Sequence, residues 1–293
     1  MQQLNITGEV AKYARAAELE RPIKEGDWRD AEGLLHCGVC RAYLEHRVRE
    51  NRVKRPANMT VDEERAFNQT LSWFLSRTFR VPCLCKEKER RAYEKRQFDE
   101  MVKENRYHCF GKTPELMNCV FERDDTRDSR TSYISRRYAE NFGKSVKGKG
   151  QKLLYWGEVG HGKTFMACAV ANAVITQGYS VKYTSFTKIM ALAAQYSVPL
   201  QSIIEGLYDY DLIVIDDFGT EEIGENKLKK TQQIINALNE RNIALVITTN
   251  IPPERFNAPA SDDERRIFSR MLDRCTRLQI KHEGGDRRLR NGT

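Results

Sequence analysis

Three stretches of this sequence carry residue types at spacings that can do chemistry. The first is GEVGHGKT, residues 157–164, which fits the pattern G-x-x-x-x-G-K-[ST] at Gly157, Gly162, Lys163 and Thr164. Glycine lets the backbone turn so tightly that successive N–H groups point at phosphate oxygens, and the helix that follows adds its positive N-terminal end. The pattern implies that Gly157, Glu158, Val159, Gly160, His161 and Gly162 cradle the phosphates of ATP. Lys163 would reach the β- and γ-phosphates, and Thr164 would offer its hydroxyl to Mg2+. His161 occupies a variable position and reads as a solvated side chain of the loop. A glycine-rich turn without a ligand is the bland alternative. Against it stands the context, an apolar run LLYW before the loop and the helix-like run FMACAVANAVI after it.

The second stretch is LIVIDDFG, residues 212–219, an apolar run that ends in adjacent carboxylates. Such a strand delivers Asp216 and Asp217 to the carboxyl edge of a parallel sheet, where ligands of open α/β folds gather. Asp216 would hold Mg2+ through water, and Asp217 would polarise the water that attacks the γ-phosphate; a pair of exposed strand-end acids is the other reading. The next apolar run ends VITTN, and an uncharged amide at a strand end can hydrogen-bond both a γ-phosphate oxygen and the attacking water. Asn250 is the candidate for that role, and it also suits the turn before IPPERF.

The third stretch is split. Cys37 and Cys40 form C-x-x-C in LLHCGVCRAY, and Cys83 and Cys85 form C-x-C in RVPCLCKEK. Two close pairs can converge on one tetrahedral zinc, since Zn2+ takes four thiolates and each pair gives two ligands from one turn. His36 is a possible substitute for one thiolate. Free thiols are the alternative reading, and Cys109, Cys119, Cys168 and Cys275 read as packing residues. A metal-nucleated module would let a segment with few large apolar residues hold its shape, because metal binding free energy becomes folding free energy.

These groups need elements to carry them. Residues 1–106 are polar and Arg-rich and hold the two cysteine pairs, ending in a charged helix over 86–106 with Tyr93, Phe98, Met101 and Val102 as a narrow apolar stripe. From residue 107 to 293 apolar runs alternate with helical patterns, which predicts an α/β domain with a parallel sheet covered on both faces. The expected strands are 153–157, 180–185, 211–217, 244–250 and 276–282, with helices beginning at Lys163, near Phe186 and near Leu228. The segment GKSVKGKGQ, 143–151, reads as a flexible approach to the first strand.

Composition bounds the partners. The 293 residues carry 49 Lys and Arg against 41 Asp and Glu, a net charge of +8, which favours an anionic partner such as nucleic acid. No apolar h-region opens the chain and no run reaches the ~18 apolar residues of a membrane span. A cytoplasmic protein is expected, and there eight cysteines are better read as metal ligands or packing residues than as disulfides.

The run GEVGHGKT, DYDLIVIDDFGTE, IINALNERNIALVITTN and FSRMLDRC resembles the helicase-loader branch of AAA+ ATPases, the DnaC/DnaI-like proteins, with the transposon ATPase IstB as a near relative. The resemblance covers about residues 107–293 and implies a five-stranded AAA+ αβα sandwich without a C-terminal lid, the N-terminal cysteine module resembling that of zinc-containing members. It also implies a homo-oligomer in which an arginine enters the neighbouring subunit's ATP site. Arg270 holds the matching position, with Arg266 and Arg274 as competitors that would share its helix face, and a solvated basic stripe is the other reading. Arg288 aligns with a phosphate-sensing arginine, although Arg287 stands where the family carries an aromatic residue, and a basic tail is the other reading. By the same resemblance the zinc module grips a DnaB-type replicative helicase, and the segment SFTKIMALAAQYSVPLQSIIEGLYDY is where related proteins place a helix that contacts single-stranded DNA, with Lys188 and Tyr196 as the candidate contacts and a helix packed on the sheet as the other reading. A transposition helper of the IstB kind is the near alternative. A small-molecule kinase would need an acceptor pocket and a closing lid, for which the sequence carries no signal.

Overall fold

Strands of two or three residues cannot stand alone in water, and the N-terminal part of the chain is built from such strands held by a small sulfur-rich core. The structure, a computed structural model, describes residues 25–47, 59–76, 78–80, 83–126, 129–194, 198–219 and 225–281. It divides into two compact units, Met1–Gln97 and Phe98–Thr293. In the first, β1 (Trp28–Arg29) pairs antiparallel with β2 (Leu35–His36), and β3 (Glu45–Arg47) with β4 (Thr78–Arg80). Between β3 and β4 runs α1 (Val61–Leu75), opened by a capping box in which Thr60 N donates to Glu63 Oε2 (2.8 Å) and Glu63 N to Thr60 Oγ1 (3.3 Å). Leu35, Cys37, Leu44 and Cys83 form the buried centre of this unit.

The charged helix is α2 (Leu84–Phe110), longer than the expected 86–106. Arg90 pairs with Glu87 (2.9 Å) and Glu94 (2.7 Å), and Arg91 with Glu87 (2.8 Å), the neighbours one turn away that support a solvated helix. Its last residues turn apolar. Val102, Cys109 and Phe110 pack into the core of the second unit.

That second unit is the expected parallel sheet. After α3 (Arg130–Glu140) come β5 (Lys152–Trp156), α4 (Lys163–Ile175), β6 (Val181–Ser185), α5 (Phe186–Ala193), α6 (Leu200–Leu207), β7 (Leu212–Phe218), α7 (Glu225–Glu240), β8 (Ala244–Thr249), α8 (Asp262–Leu272) and β9 (Cys275–Gln279). The order across the sheet is β6-β7-β8-β5-β9, all pairs parallel. Because both faces are covered, the central strands are mostly apolar up to their carboxyl ends, and every residue of β8 is buried. One face, with Leu153, Tyr155, Val214 and Val246, packs on α4. The other, with Leu154, Ile213, Ile215 and Ile247, packs on Ile234, Ile235 and Leu238 of α7 and Phe268 and Met271 of α8. Helix α4 has no polar face because α3 and the end of α2 cover its far side.

Two expectations need correction here. The segment 143–151 is not a flexible approach. Phe142–Val146 forms a π-helical turn whose ends, Phe142 and Val146, are buried, so apolar anchors fix a stretch that composition alone reads as a loop. And Arg274 does not continue the face of Arg266 and Arg270. Helix α8 ends at Leu272, and Arg274 has a left-handed backbone (φ 51°). Among the described residues no helix is long and apolar enough to cross a membrane.

Candidate nucleotide and metal sites

The glycine-rich loop joins β5 to α4, so its backbone turns over the carboxyl edge of the sheet. Gly157 (φ 148°) lies so close to the chain leaving β9 that a Cβ would stand 2.4 Å from the Ile280 carbonyl oxygen. Gly162, the N-cap of α4, is left-handed (φ 99°), which frees the first N–H groups of the helix to face outward. Lys163 is buried, and its Nζ donates to the carbonyls of Gly157 (2.9 Å) and Glu158 (2.7 Å). The loop's one full positive charge is thereby held inside the concavity. Glu158 and Val159 point outward, with 87% of the Glu158 side chain exposed. His161 departs from expectation. Its side chain is only 12% exposed, with Nε2 3.6 Å from Glu158 Oε2. The ring turns inward because the loop folds back over the strand ends, where it lines a cleft of about 770 Å³ with Trp156, Asn250, Pro252 and Ile280.

Asp216 and Asp217 are split by a β-bulge. Ile215 pairs with Ile247 and Phe218 with Thr249, so two residues of β7 oppose the single Thr248 of β8. Asp217 takes the strained position, left-handed at φ 54°, and its side chain is exposed, whereas Asp216 is buried. One hydroxyl serves both residues: Thr248 Oγ1 accepts from Asp217 N (2.9 Å) and donates to Asp216 Oδ1 (2.6 Å). Thr164 Oγ1, at the start of α4, reaches both oxygens of Asp216, at 3.1 and 3.3 Å. Tyr183 of β6 donates to Asp216 Oδ2 at 2.5 Å. Burial, and next the bond to Asp216, hold the Tyr183 phenol well above its ordinary pKa, so it stays a donor. A carboxylate and a threonine hydroxyl beside the loop lysine are the oxygen donor set that Mg2+ takes together with phosphate oxygens. Sequence reasoning missed Tyr183 and Thr248. The TT of VITTN was visible, but which threonine meets the carboxylate depends on the bulge.

Asn250 is exposed just beyond β8, on the same cleft as the loop. Lys188 is exposed on α5, with Nζ 5.9 Å over the Tyr183 ring. Arg266 and Arg270 lie one turn apart on the exposed face of α8. Arg274 is engaged within its own chain: Nη1 donates to Lys149 O (2.9 Å) and Asn242 Oδ1 (2.7 Å), and Nε to Asp273 (3.2 Å). Tyr196 and Arg288 lie outside the described residues.

In the first unit the four thiols of Cys37, Cys40, Cys83 and Cys85 lie within 4.8 Å of one another, with Cys37 and Cys85 at 3.6 Å and Cys83 and Cys85 at 2.9 Å. Thiolates around one zinc at ~2.3 Å stand roughly 3.8 Å apart, so the set fits a tetrahedral site. The C-x-x-C half is a tight turn, Arg41 N donating to Cys37 O (2.9 Å) with Arg41 left-handed at φ 56°. Backbone N–H groups, first that of Cys40, pull the Cys37 thiol down to about 6, while the adjacent Cys83 pushes Cys85 up to about 12. His36 does not substitute for a thiolate. Its ring nitrogens lie 2.9 Å from Asp30 Oδ2 and 3.2 Å from Arg41 O, and its ring stacks on Trp28. Cys109 and Cys168 are buried in the core and Cys119 and Cys275 are half-buried against it, as packing residues should be.

Comparison with known proteins agrees with this geometry. The family described as IstB-like ATP binding protein matches residues 68–292, beginning well before residue 107. An insertion sequence ATP-binding protein of Sinorhizobium fredii is 27% identical over 150 residues, 50% of this chain and 50% of that protein. The replicative helicase loader DnaC of Buchnera aphidicola is 27% identical over 135 residues, 43% of this chain and 51% of that protein. The chain thus spans about half the length of these relatives. The crystal structure of DnaI superposes with a TM-score of 0.51 at 16% identity, covering 61% of this chain and 97% of that one, a likeness of fold.

Proposed function

The chain belongs to the IstB-like ATP-binding family, and from that premise we propose that it is an ATP-driven switch that loads a DnaB-type replicative helicase onto single-stranded DNA. The observation that carries the switch is the meeting of Lys163, Thr164 and Asp216 at one sheet edge, with Asp217 turned outward beside them. Lys163 and the loop amides would bind the phosphates, and Thr164 and Asp216 would hold Mg2+. Bound there, Mg2+ would neutralise charge on the β- and γ-phosphates. Asp217 orients and polarises the water whose oxygen attacks the γ-phosphate, and Asn250 orients the same water from the next strand. Hydrolysis is completed by an arginine from a second copy of the chain. Arg270 is the candidate and Arg266 the alternative, since a guanidinium committed to Lys149 and Asn242, as in Arg274, has hydrogen bonds to lose before it can act in trans.

Residues 1–106 form the helicase-gripping module under this reading, and residues 107–293 the ATPase domain. The four-thiol cluster supports zinc as the staple of that module. Lys188, exposed beside β6, is available to a DNA phosphate. A second reading, a helper of transposition on duplex DNA, is favoured by the family match and by the insertion sequence relative. Co-purification with a replicative helicase and with a transposase, each with and without ATP, separates the two. Retention of the transposase and not the helicase would overturn the first reading.

A further inference from the structure

We propose that Tyr183 is a positioning residue for the carboxylate of Asp216, itself fixed by Phe110 at the end of α2, and that it sets the affinity of the site for its divalent cation. This rests on the reading of Asp216 as the cation-holding group.

The parallel register pairs Tyr183 with Val214 and Ser185 with Asp216, so Tyr183 is the diagonal neighbour of Asp216 across β6 and β7, within reach of a long side chain. Its hydroxyl donates to Oδ2 (2.5 Å), while Thr248 of β8 donates to Oδ1 (2.6 Å). The carboxylate is therefore tethered from the strands on either side of its own, one oxygen to each. Thr164 Oγ1 lies 3.1 and 3.3 Å from the two oxygens, so the hydroxyl and the carboxylate that would hold a cation are already side by side. Without one tether the carboxylate rotates about its soft terminal torsion and presents its oxygens to the cation for only part of the time.

The ring of Tyr183 is itself held. Phe110 packs against it at 5.9 Å between centroids, and the Lys188 ammonium lies 5.9 Å over the ring. Phe110 is 5% exposed and belongs to the core that surrounds α4. The end of α2 is thus in contact with the residue that orients the carboxylate. The Tyr183 hydroxyl bonds the carboxylate of Asp216, so its loss should weaken the cation and leave the phosphates alone.

The test uses the full chain with ATP and Mn2+ as the probe cation, free Mn2+ being read by electron paramagnetic resonance. Tyr183→Phe should raise the Mn2+ dissociation constant of the ATP-bound protein about tenfold, the worth of one hydrogen bond to a charged group. The Mg2+ concentration for half-maximal turnover should rise by the same factor, with ATP affinity in chelator unchanged. Phe110→Leu, which keeps the core filled, should shift both cation values roughly threefold. Asp216→Asn separates the two ideas. If it leaves Mn2+ affinity intact, the reading of Asp216 is wrong. If it abolishes Mn2+ binding while Tyr183→Phe and Phe110→Leu both match the parent, or if Tyr183→Phe weakens ATP in chelator as much as it weakens Mn2+, the positioning role of Tyr183 is wrong. Should Tyr183→Phe fail to fold, the Phe110→Leu values decide.

Discussion

Thr248→Val tests the arrangement at the bulge most directly, because one fully buried hydroxyl satisfies two backbone-neighbouring groups. Valine keeps the shape and removes the donor to Asp216 Oδ1 and the acceptor of Asp217 N. A hydrogen bond to a charged group contributes about 1.5–3 kcal/mol, and a buried N–H left without its acceptor costs about 1–3 kcal/mol. The two losses share one atom and do not add fully, so we expect a total of about 3 kcal/mol. For a unit of this size that corresponds to roughly 6–12 °C of melting temperature, followed by circular dichroism or calorimetry. Thr248→Ser retains the hydroxyl and loses only a buried methyl, about 1 kcal/mol. A shared hydroxyl does not hold the bulge if the serine variant is as unstable as the valine variant, or if valine costs less than about 1 kcal/mol. In the first case packing, not the shared hydroxyl, holds the bulge.

Lys163→Ala is expected to abolish ATP binding, whereas Asp217→Asn keeps binding and loses turnover; equal loss of affinity in equilibrium titration of both variants would count against the roles assigned. Protein purified without chelator should carry about one zinc per chain by metal analysis, and a thiol-reactive agent should release it and unfold only the first unit. Zinc uptake at neutral pH should release protons, visible as a buffer-dependent heat in calorimetry, because Cys85, pushed up to about 12, is protonated there and must bind as thiolate. Arg270→Ala should bind ATP normally and hydrolyse it ~10³-fold more slowly. Mixing it with Lys163→Ala subunits should restore activity, since an intact loop on one copy then meets an intact arginine on the other. A co-assembled mixture as inactive as both parents would shift the assignment to Arg266.

What the sequence determined by itself was local. Gly157–Thr164 is one loop, and its phosphate chemistry follows from residue types at fixed spacing between a strand and a helix. The apolar runs of β5, β7 and β8 announced central strands, because a strand buried on both faces has few polar positions to blur it, and the cysteine pairs announced a four-thiol cluster because each pair supplies two ligands from one turn. The tertiary structure decided everything that depends on which distant residues become neighbours. Tyr183, Asp216 and Thr248 belong to three strands that meet only because the sheet order is β6-β7-β8, and the bulge at Asp217 decides which threonine of VITTN receives the carboxylate. The same holds for His161, turned inward by strand ends far along the chain, for Arg274, drawn to Lys149 and Asn242 where α8 ends, and for 143–151, ordered by Phe142 and Val146. A residue's type limits the bonds it can make, but strand register and helix ends choose which of them it makes.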